Sequence, residues 1–135
     1  MSARLIPPRS ELTQPFWDAA GEGALALQFC GTCDTGIFPP RAHCPDCGGS
    51  NLQWRSVSGE GSVYTYTVAH RAPHPVFASQ CPLVIAVIVL AEGPRMISNV
   101  VGVDPEDVYV DMPVRVTFEA IDDTDLWLPL FTPAA

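Results

Sequence analysis

No lysine occurs anywhere in the 135 residues of this chain, and its seven strongly basic side chains are all arginines. Enzymes that form a Schiff base and nucleotide-binding loops of the Walker type both need a lysine amine, so these classes are excluded. The formal net charge is −8, and the sequence contains no basic run. Because affinity for phosphate backbones comes largely from Lys and Arg, the composition predicts a protein that binds no nucleic acid.

Charge and long apolar runs are also scarce. Charged residues make up only 16% of the chain, against 47% hydrophobic residues. A surface with so few charges suggests that part of it is covered by a partner. The longest apolar run, Leu83 to Leu90, is far shorter than the roughly 20 residues that span a bilayer, so no membrane span is expected. Met1 to Ser10 lacks the apolar core of a signal peptide, which predicts a cytoplasmic protein.

What the sequence does contain is a series of short β-branched or aromatic runs bounded by Gly, Pro, Asn or Asp. Such runs are typical of strands, and without a long helical period they predict a mainly β fold with a closed or nearly closed antiparallel barrel. Hairpin-type connections are expected at residues 58–61 and 91–94. The runs lie at residues 52–57, 63–68, 83–90, 95–101, 114–120 and 126–130.

One short helix is predicted near the N-terminus. Thr13 is the expected N-cap, Pro15 is tolerated in the first turn, and the glycines at 21 and 23 end the helix. Phe16 and Trp17 are expected to anchor it to an apolar surface. A strand of alternating apolar residues from 25 to 29 then leads into the first cysteine pair.

Two further features come from the pattern inside the barrel region. In the run 83–90, both alternating sets of side chains are apolar, so we expect both faces of this strand to be largely covered. Residues 69–81 form the longest irregular stretch, where a functional loop is expected, and Asp104 to Asp107 can begin a helical turn.

Four cysteines form two C-x-x-C pairs, Cys30 with Cys33 and Cys44 with Cys47, separated by ten residues. This spacing is typical of two metal-binding knuckles, and four thiolates around one zinc leave no open position for substrate. The sequence therefore predicts a structural zinc site. Free or disulfide-bonded cysteines are the alternative, and a cytoplasmic chain makes disulfides unfavourable. Iron is the rival metal, since four thiolates bind it too. His43 need not be a ligand.

Other candidate residues carry weaker signals. Cys81 is interpreted as an inert buried thiol, with a nucleophile as the alternative. His70 and Arg71 follow a predicted strand, where they can contact a ligand or partner or simply face solvent. Asp122, Asp123 and Asp125 are interpreted as a solvated turn, because a calcium loop would need a glycine and a terminal Glu.

The order of these motifs resembles one known family. In that family a rubredoxin-like zinc ribbon is fused to an OB-fold, and its members are associated with acyl-CoA and were long known only as a domain of unknown function. Asp111 stands where that family usually has glycine, and Asp tolerates the left-handed backbone. The resemblance covers roughly residues 13 to 131 and rests on Pro15–Trp17, the two cysteine pairs around residues 38–41, residues 54–67, 82–93 and 112–118.

The resemblance implies a non-catalytic subunit that binds a thiolase-superfamily enzyme and assists acyl-CoA binding. Thiolases, acyltransferases and the retro-aldolases of steroid side-chain degradation have such subunits. The resemblance transfers no CoA-contacting residue. The ligand or partner contacts are instead expected, from the residues themselves, among Phe16, Trp17, Tyr64, His70 and Arg71. The expected division is an N-terminal segment over residues 1–23, the zinc ribbon over 24–56 and a five- or six-stranded OB-fold barrel over 57–135.

Three other functions remain open from the residues, the last of which is a pure scaffold that binds no ligand. OB-folds often bind nucleic acids, and Tyr64 and Tyr66 can stack on bases. A stand-alone enzyme using His70 or Cys81 is the second. Neither residue has a partner that the sequence can place beside it.

Overall fold

The computed structural model describes residues 5–122 and 124–134, and in these ranges the chain forms one α-helix, eight β-strands and two short 3₁₀ helices. The elements, in chain order, are α1 (Gln14–Gly21), β1 (Leu25–Cys30), β2 (Gly36–Ile37), β3 (Leu52–Val57), β4 (Glu60–Ala69), β5 (Leu83–Leu90), β6 (Arg95–Asn99), β7 (Pro113–Ala120) and β8 (Trp127–Pro133), with 3₁₀ helices at Pro75–Gln80 and Pro105–Asp107.

The predicted helix is present with Thr13 as its N-cap residue, but the predicted side-chain capping bond is wrong. Thr13 occupies the N-cap position with helical backbone angles, and its side chain makes no capping bond. Its hydroxyl oxygen instead accepts a bond from the Ser10 N–H at 3.1 Å. The Ser10 carbonyl accepts from the Gln14 N–H at 2.9 Å, so the preceding turn satisfies that donor of the helix start.

The ribbon is a three-stranded antiparallel sheet in the order β2-β1-β3. β3 pairs with β1 along its whole length, from Leu25 opposite Val57 to Cys30 opposite Leu52. The run 52–57 therefore belongs to the ribbon, and it is not a sixth barrel strand. β2 was not predicted, because two residues, Gly36 and Ile37, are too few to show a periodic pattern.

The barrel has five strands in the order β6-β5-β4-β7-β8. A parallel bridge between Val100 and Phe131 nearly closes it, and the Ser98 hydroxyl donates to the Pro129 carbonyl at 3.0 Å across the same opening. In chain order, β6 and β8 are the third and fifth strands of the barrel. A five-stranded antiparallel sheet in this order, closed by a parallel contact between the end of β6 and β8, is an OB-fold. The prediction of a mainly β fold with a short helix, a zinc ribbon and an OB-fold barrel is confirmed.

Strand β5, which pairs with β4 and β6, is covered less evenly than expected. Val84, Ala86, Ile88 and Leu90 point into the barrel and are buried. The alternating side chains Ile85, Val87 and Val89 are only partly buried. The outer face of the sheet is therefore apolar and half open.

One apolar core joins the helix, the ribbon and the barrel. Phe16 of α1 and Leu27 of β1 belong to the same buried cluster as Ile88 and Phe131 of the barrel. α1 packs against both β1 and β8. The two sheets are therefore held together by shared side chains.

The connections differ from the sequence expectations in two places. Residues 58–61 lead from the ribbon to the barrel and join strands of different sheets, so no hairpin forms there. Residues 69–81 are not wholly irregular, because they contain the first 3₁₀ helix. The hairpin at 91–94 and the helical turn after Asp104 are confirmed. Asp111 has a φ of 71°, as its position in place of a glycine predicts.

None of the helices in the described ranges has the length and apolar character needed to cross a bilayer.

Candidate metal centre and apolar groove

The four knuckle cysteines converge on one point. All four sulfur atoms lie within 4.8 Å of one another. The sulfurs of Cys30 and Cys47 are 3.6 Å apart, as are those of Cys33 and Cys44. A disulfide needs about 2.05 Å, and all four thiols are free. Four sulfurs at about 2.3 Å from a central zinc lie roughly 3.8 Å apart, so the arrangement fits a tetrahedral ion.

The two knuckles have the same backbone hydrogen bonds. In the first, the Cys30 carbonyl accepts from the Asp34 N–H at 2.8 Å, and the Cys30 N–H donates to the Thr35 carbonyl at 2.9 Å. In the second, Cys44 makes the corresponding bonds with Gly48 at 2.9 Å and Gly49 at 2.8 Å. Asp34 and Gly48 occupy equivalent positions, and both have a positive φ, of 60° and 75°.

Gln28 supports the second half of the ribbon from inside. This side chain is 3% exposed, the one buried polar residue in the described ranges. Its amide nitrogen donates to the Arg41 carbonyl at 3.1 Å, and its amide oxygen accepts from the Arg41 N–H at 2.7 Å. The single polar residue in the apolar run before Cys30 was the signal that could have identified it.

A second polar contact links the knuckles across the surface. The Thr35 hydroxyl lies 3.1 Å from the Cys33 sulfur and donates to the Asp46 carboxylate at 2.9 Å. Thr35 follows the first pair and Asp46 lies inside the second. Sequence reasoning did not single out either residue.

The electrostatics of the cluster favour a bound cation. Backbone N–H groups of Cys33 and Thr32 point at the Cys30 sulfur and lower the pKa of Cys30 to about 6. The Gly49 N–H acts in the same direction on Cys47, but bonds to the Cys30 and Cys44 sulfurs outweigh it and raise the pKa of Cys47 to about 11. At neutral pH Cys47 therefore keeps its proton beside the Cys30 thiolate, and a cation bound between the two sulfurs would favour the loss of that proton.

A separate apolar groove lies where the helix, the ribbon and the barrel meet. Its volume is about 370 Å³. Phe16 and Trp17 come from α1, Phe38 from the ribbon, and Phe77 from the 3₁₀ helix between β4 and β5. The floor comes from β5, β6 and β8. The remaining lining residues are Pro73, Leu83, Ile85, Met96, Ile97, Ser98, Asn99, Leu128, Pro129 and Leu130.

The predicted contact residues do not form one site. Phe16 and Trp17 line the groove, and their rings meet edge to face at 5.0 Å. Tyr64 lies outside it, and the Arg95 guanidinium covers its ring at 4.2 Å. His70 and Arg71 are exposed on the loop that carries Pro73 and Phe77, but they are not among the lining residues.

The other candidates are separated from one another. The Cys81 thiol donates to the Phe77 carbonyl at 3.6 Å, and the His74 ring nitrogen accepts from the Val76 N–H at 3.1 Å. His43 is exposed and is not part of the sulfur cluster. The Asp125 carboxylate pairs with Arg9, which lowers the pKa of Asp125. Asp123 lies outside the described residues.

Comparisons with known proteins agree with this architecture. The profile of the ChsH2 rubredoxin-like zinc ribbon domain matches residues 17–53, and that of the ChsH2 C-terminal OB-fold domain matches residues 54–119. A solved structure described as Ltp2-ChsH2(DUF35) aldolase superposes with a TM-score of 0.85 at 36% identity, over 96% of this chain and 100% of that one.

Two curated relatives differ in length. A DUF35 domain-containing scaffold protein of Methanocaldococcus jannaschii is 43% identical over 70% of this chain and 67% of its own length. A probable enoyl-CoA hydratase alpha subunit of Thermomonospora curvata is 41% identical over 97% of this chain. This chain spans only 41% of that alpha subunit.

Three findings lead to the same assignment. They are the family profiles that match both sheets, the structural match over the full length of a DUF35 chain, and the relatives above 30% identity. The chain belongs to the DUF35 family of ChsH2-type proteins, in which a rubredoxin-like zinc ribbon precedes an OB-fold.

Proposed function

We propose that this chain is a non-catalytic accessory subunit that binds a thiolase-superfamily enzyme and assists the binding of its acyl-CoA substrate. The enzyme is a thiolase, an acyltransferase or an aldolase of the kind that shortens steroid side chains. The observation that carries this proposal is the full-length match to a DUF35 chain described as part of an aldolase together with Ltp2.

The names of the relatives support the accessory role. The archaeal relative is described as a scaffold protein, and this chain covers 67% of it. The hydratase alpha subunit from Thermomonospora curvata is much longer than this chain, so its hydratase name does not transfer to the part that matches. A supporting subunit is the function common to the scaffold and aldolase matches.

The arrangement of reactive side chains also supports a non-catalytic role. In residues 5–122 and 124–134, the groove is lined by no acid, base or cysteine. His74 is occupied with the backbone of its own 3₁₀ helix, and the Cys81 thiol donates to a carbonyl. A nucleophile needs a base within hydrogen-bond reach, whereas the Cys81 thiol bonds to a backbone carbonyl and His70 is exposed to solvent.

We also propose that Cys30, Cys33, Cys44 and Cys47 hold one zinc ion. Zinc bound by four thiolates is closed to substrate, and it supplies folding free energy to a small sheet with few core residues of its own. Among the described residues, the buried apolar cluster around the site consists of Cys30, Ile37 and Cys44, with Leu52 packed against it. The ion thus takes the place of a larger core.

The nucleic-acid alternative finds little support. The Arg95 guanidinium lies over one face of the Tyr64 ring, and Tyr66 is partly buried against the core, so neither ring is fully open to a base. The formal net charge of −8 also disfavours binding to the negatively charged backbone of a nucleic acid.

Affinity purification of the tagged chain from its native cells, followed by mass spectrometry, tests the proposal. We expect a thiolase-like or aldolase-like subunit in a stoichiometric complex. The purified enzyme should then show a higher kcat/KM for acyl-CoA when the chain is added, while the chain alone turns over no acyl-CoA. Turnover of enoyl-CoA or acyl-CoA by the chain alone, lost in Cys81→Ala or His70→Ala, would establish the stand-alone enzyme instead.

A further inference from the structure

We propose that the apolar groove holds the hydrocarbon part of the acyl group, while the CoA nucleotide stays outside this chain's groove. This inference rests on the proposed function and makes it more specific. It assigns this subunit a direct share in recognising the acyl chain.

The place of the groove in the fold suits a ligand. The groove lies along β5 and β6 beside the loop between β4 and β5, and OB-folds use the corresponding strands and loop to bind their ligands. Helix, ribbon and barrel all contribute walls, and small-molecule sites favour such junctions. Its volume of about 370 Å³ is in the range of known ligand pockets.

The chemistry of the groove selects an apolar occupant. Ser98 and Asn99 are its two polar lining side chains. The Ser98 hydroxyl donates to the Pro129 carbonyl at 3.0 Å, and the Asn99 amide donates to the Val84 carbonyl at 2.8 Å. Both side chains already hold the barrel together.

A nucleotide would be poorly matched to these walls. No charged side chain lines the groove in the described ranges, so a pyrophosphate would lose water without gaining a cation. An adenine would leave its ring nitrogens unpaired, which costs binding free energy. A hydrocarbon has no polar group to satisfy, and Phe16, Trp17, Phe38 and Phe77 offer it aromatic surface.

The open side of the groove gives the thioester a way out. Ile97 stands at this opening and is 69% exposed. An acyl chain lying on the floor can therefore extend its thioester and CoA towards the enzyme subunit. The apolar end would be held by this chain and the reacting end by its partner.

Isothermal titration of the zinc-loaded full chain with CoA, butyryl-CoA and decanoyl-CoA, below the micelle concentration, tests this inference. Each methylene that leaves water strengthens binding by up to about fourfold, so decanoyl-CoA should bind at least about tenfold more tightly than butyryl-CoA. CoA alone should bind no more tightly than butyryl-CoA.

Ile97→Arg and Val110→Arg form a matched pair of variants. Both replace an exposed apolar side chain, 69% and 54% exposed, but only Ile97 lines the groove. Ile97→Arg should lower the ratio of decanoyl-CoA affinity to butyryl-CoA affinity at least about fivefold, because apolar wall is lost at the opening while attraction of the guanidinium to the CoA phosphates acts equally on both ligands. Val110→Arg should change this ratio less than about twofold.

Three results would overturn the inference. These are equal affinity for CoA and decanoyl-CoA, no binding of decanoyl-CoA to the wild-type chain, or equal losses in the two arginine variants. If the chain still raises the kcat/KM of its enzyme in those cases, the accessory function stands and only the acyl-binding groove is wrong. The chain-length series needs no variant, so it decides the matter even if Ile97→Arg fails to fold.

Discussion

Gly36 of the ribbon lies directly against Pro94 in the turn between β5 and β6, so close that a Cβ on Gly36 would sit 2.3 Å from the Pro94 Cγ. The two residues come from different sheets, and Pro94 is buried. The absence of a side chain at position 36 therefore lets the ribbon approach the barrel.

We expect Gly36→Ala to destabilise the protein by about 1–3 kcal/mol, because the rigid proline ring has no room to move aside. Chemical denaturation measures the loss. Gly21→Ala is the control, since a Cβ there meets nothing within 4 Å and alanine favours the helix. The double variant Gly36→Ala/Pro94→Ala should recover part of the stability, and equal stability of Gly36→Ala and wild type would contradict the close contact.

The metal site predicts that the purified protein carries about one zinc per chain and that Cys44→Ser loses it. Structural zinc contributes an apparent binding free energy of about 10–16 kcal/mol at neutral pH, much of which depends on four thiolates. Elemental analysis after gel filtration in a mild chelator measures the metal. Cys81→Ser should keep its zinc, because Cys81 is not part of the cluster. Wild-type protein with neither zinc nor iron would refute the site.

Gln28→Leu should destabilise the chain by about 1–3 kcal/mol. Leucine fits a buried strand position but leaves the N–H and carbonyl of Arg41 without the partners that Gln28 provides. Gln53→Leu on the neighbouring strand is the control, since Gln53 is exposed and its loss should cost less than about 0.5 kcal/mol. Urea unfolding curves compare the two. Equal midpoints would show that water replaces the Gln28 bonds.

The left-handed backbone at Asp111 predicts opposite effects for two substitutions there. With a φ of 71°, Asp111→Ala should lower stability by about 1 kcal/mol, whereas Asp111→Gly should leave it unchanged or raise it. Thermal unfolding measures both. Asp107→Gly lies in the second 3₁₀ helix, where no positive φ is found, so glycine should be mildly destabilising there.

His70 and Arg71 remain predicted contacts with the CoA part of the substrate or with the enzyme. Both are exposed, so alanine variants should leave the fold intact. With the enzyme partner present, His70→Ala and Arg71→Ala should raise the KM for acyl-CoA more than they lower kcat, because a positioning contact contributes to binding. Arg115→Ala on β7 is an exposed arginine control. A fall in kcat at unchanged KM would point to a different role.

Much of this fold is readable in the sequence because its signals are local. The run 83–90 defines β5 to the residue, and the spacing of the cysteine pairs leads directly to the sulfur cluster. The same local pattern misassigned the run 52–57 to the barrel, since an apolar strand does not reveal which sheet it joins.

What the sequence did not show depends on long-range contacts. The groove is built from residues between Phe16 and Leu130, and no single segment has its signature. Gln28 finds its partner, Arg41, 13 residues away in the segment between the two cysteine pairs. The helix start differs from the expectation for a local reason, because the Phe16 N–H that a Thr13 side chain was expected to cap bonds instead to the Thr13 carbonyl.

Because α1, β1 and the barrel share one apolar core, neither of the two sheets can be removed without exposing core residues of the other. A cut near residue 58 would leave the apolar side chains of Leu25, Leu27 and Phe29 on one fragment without the barrel residues that cover them. A graft of the helix and ribbon onto another OB-fold would also need the surface of β8 that packs against α1. Recombination between relatives can therefore exchange the ribbon and the barrel only together, and the groove between them is exchanged at the same time.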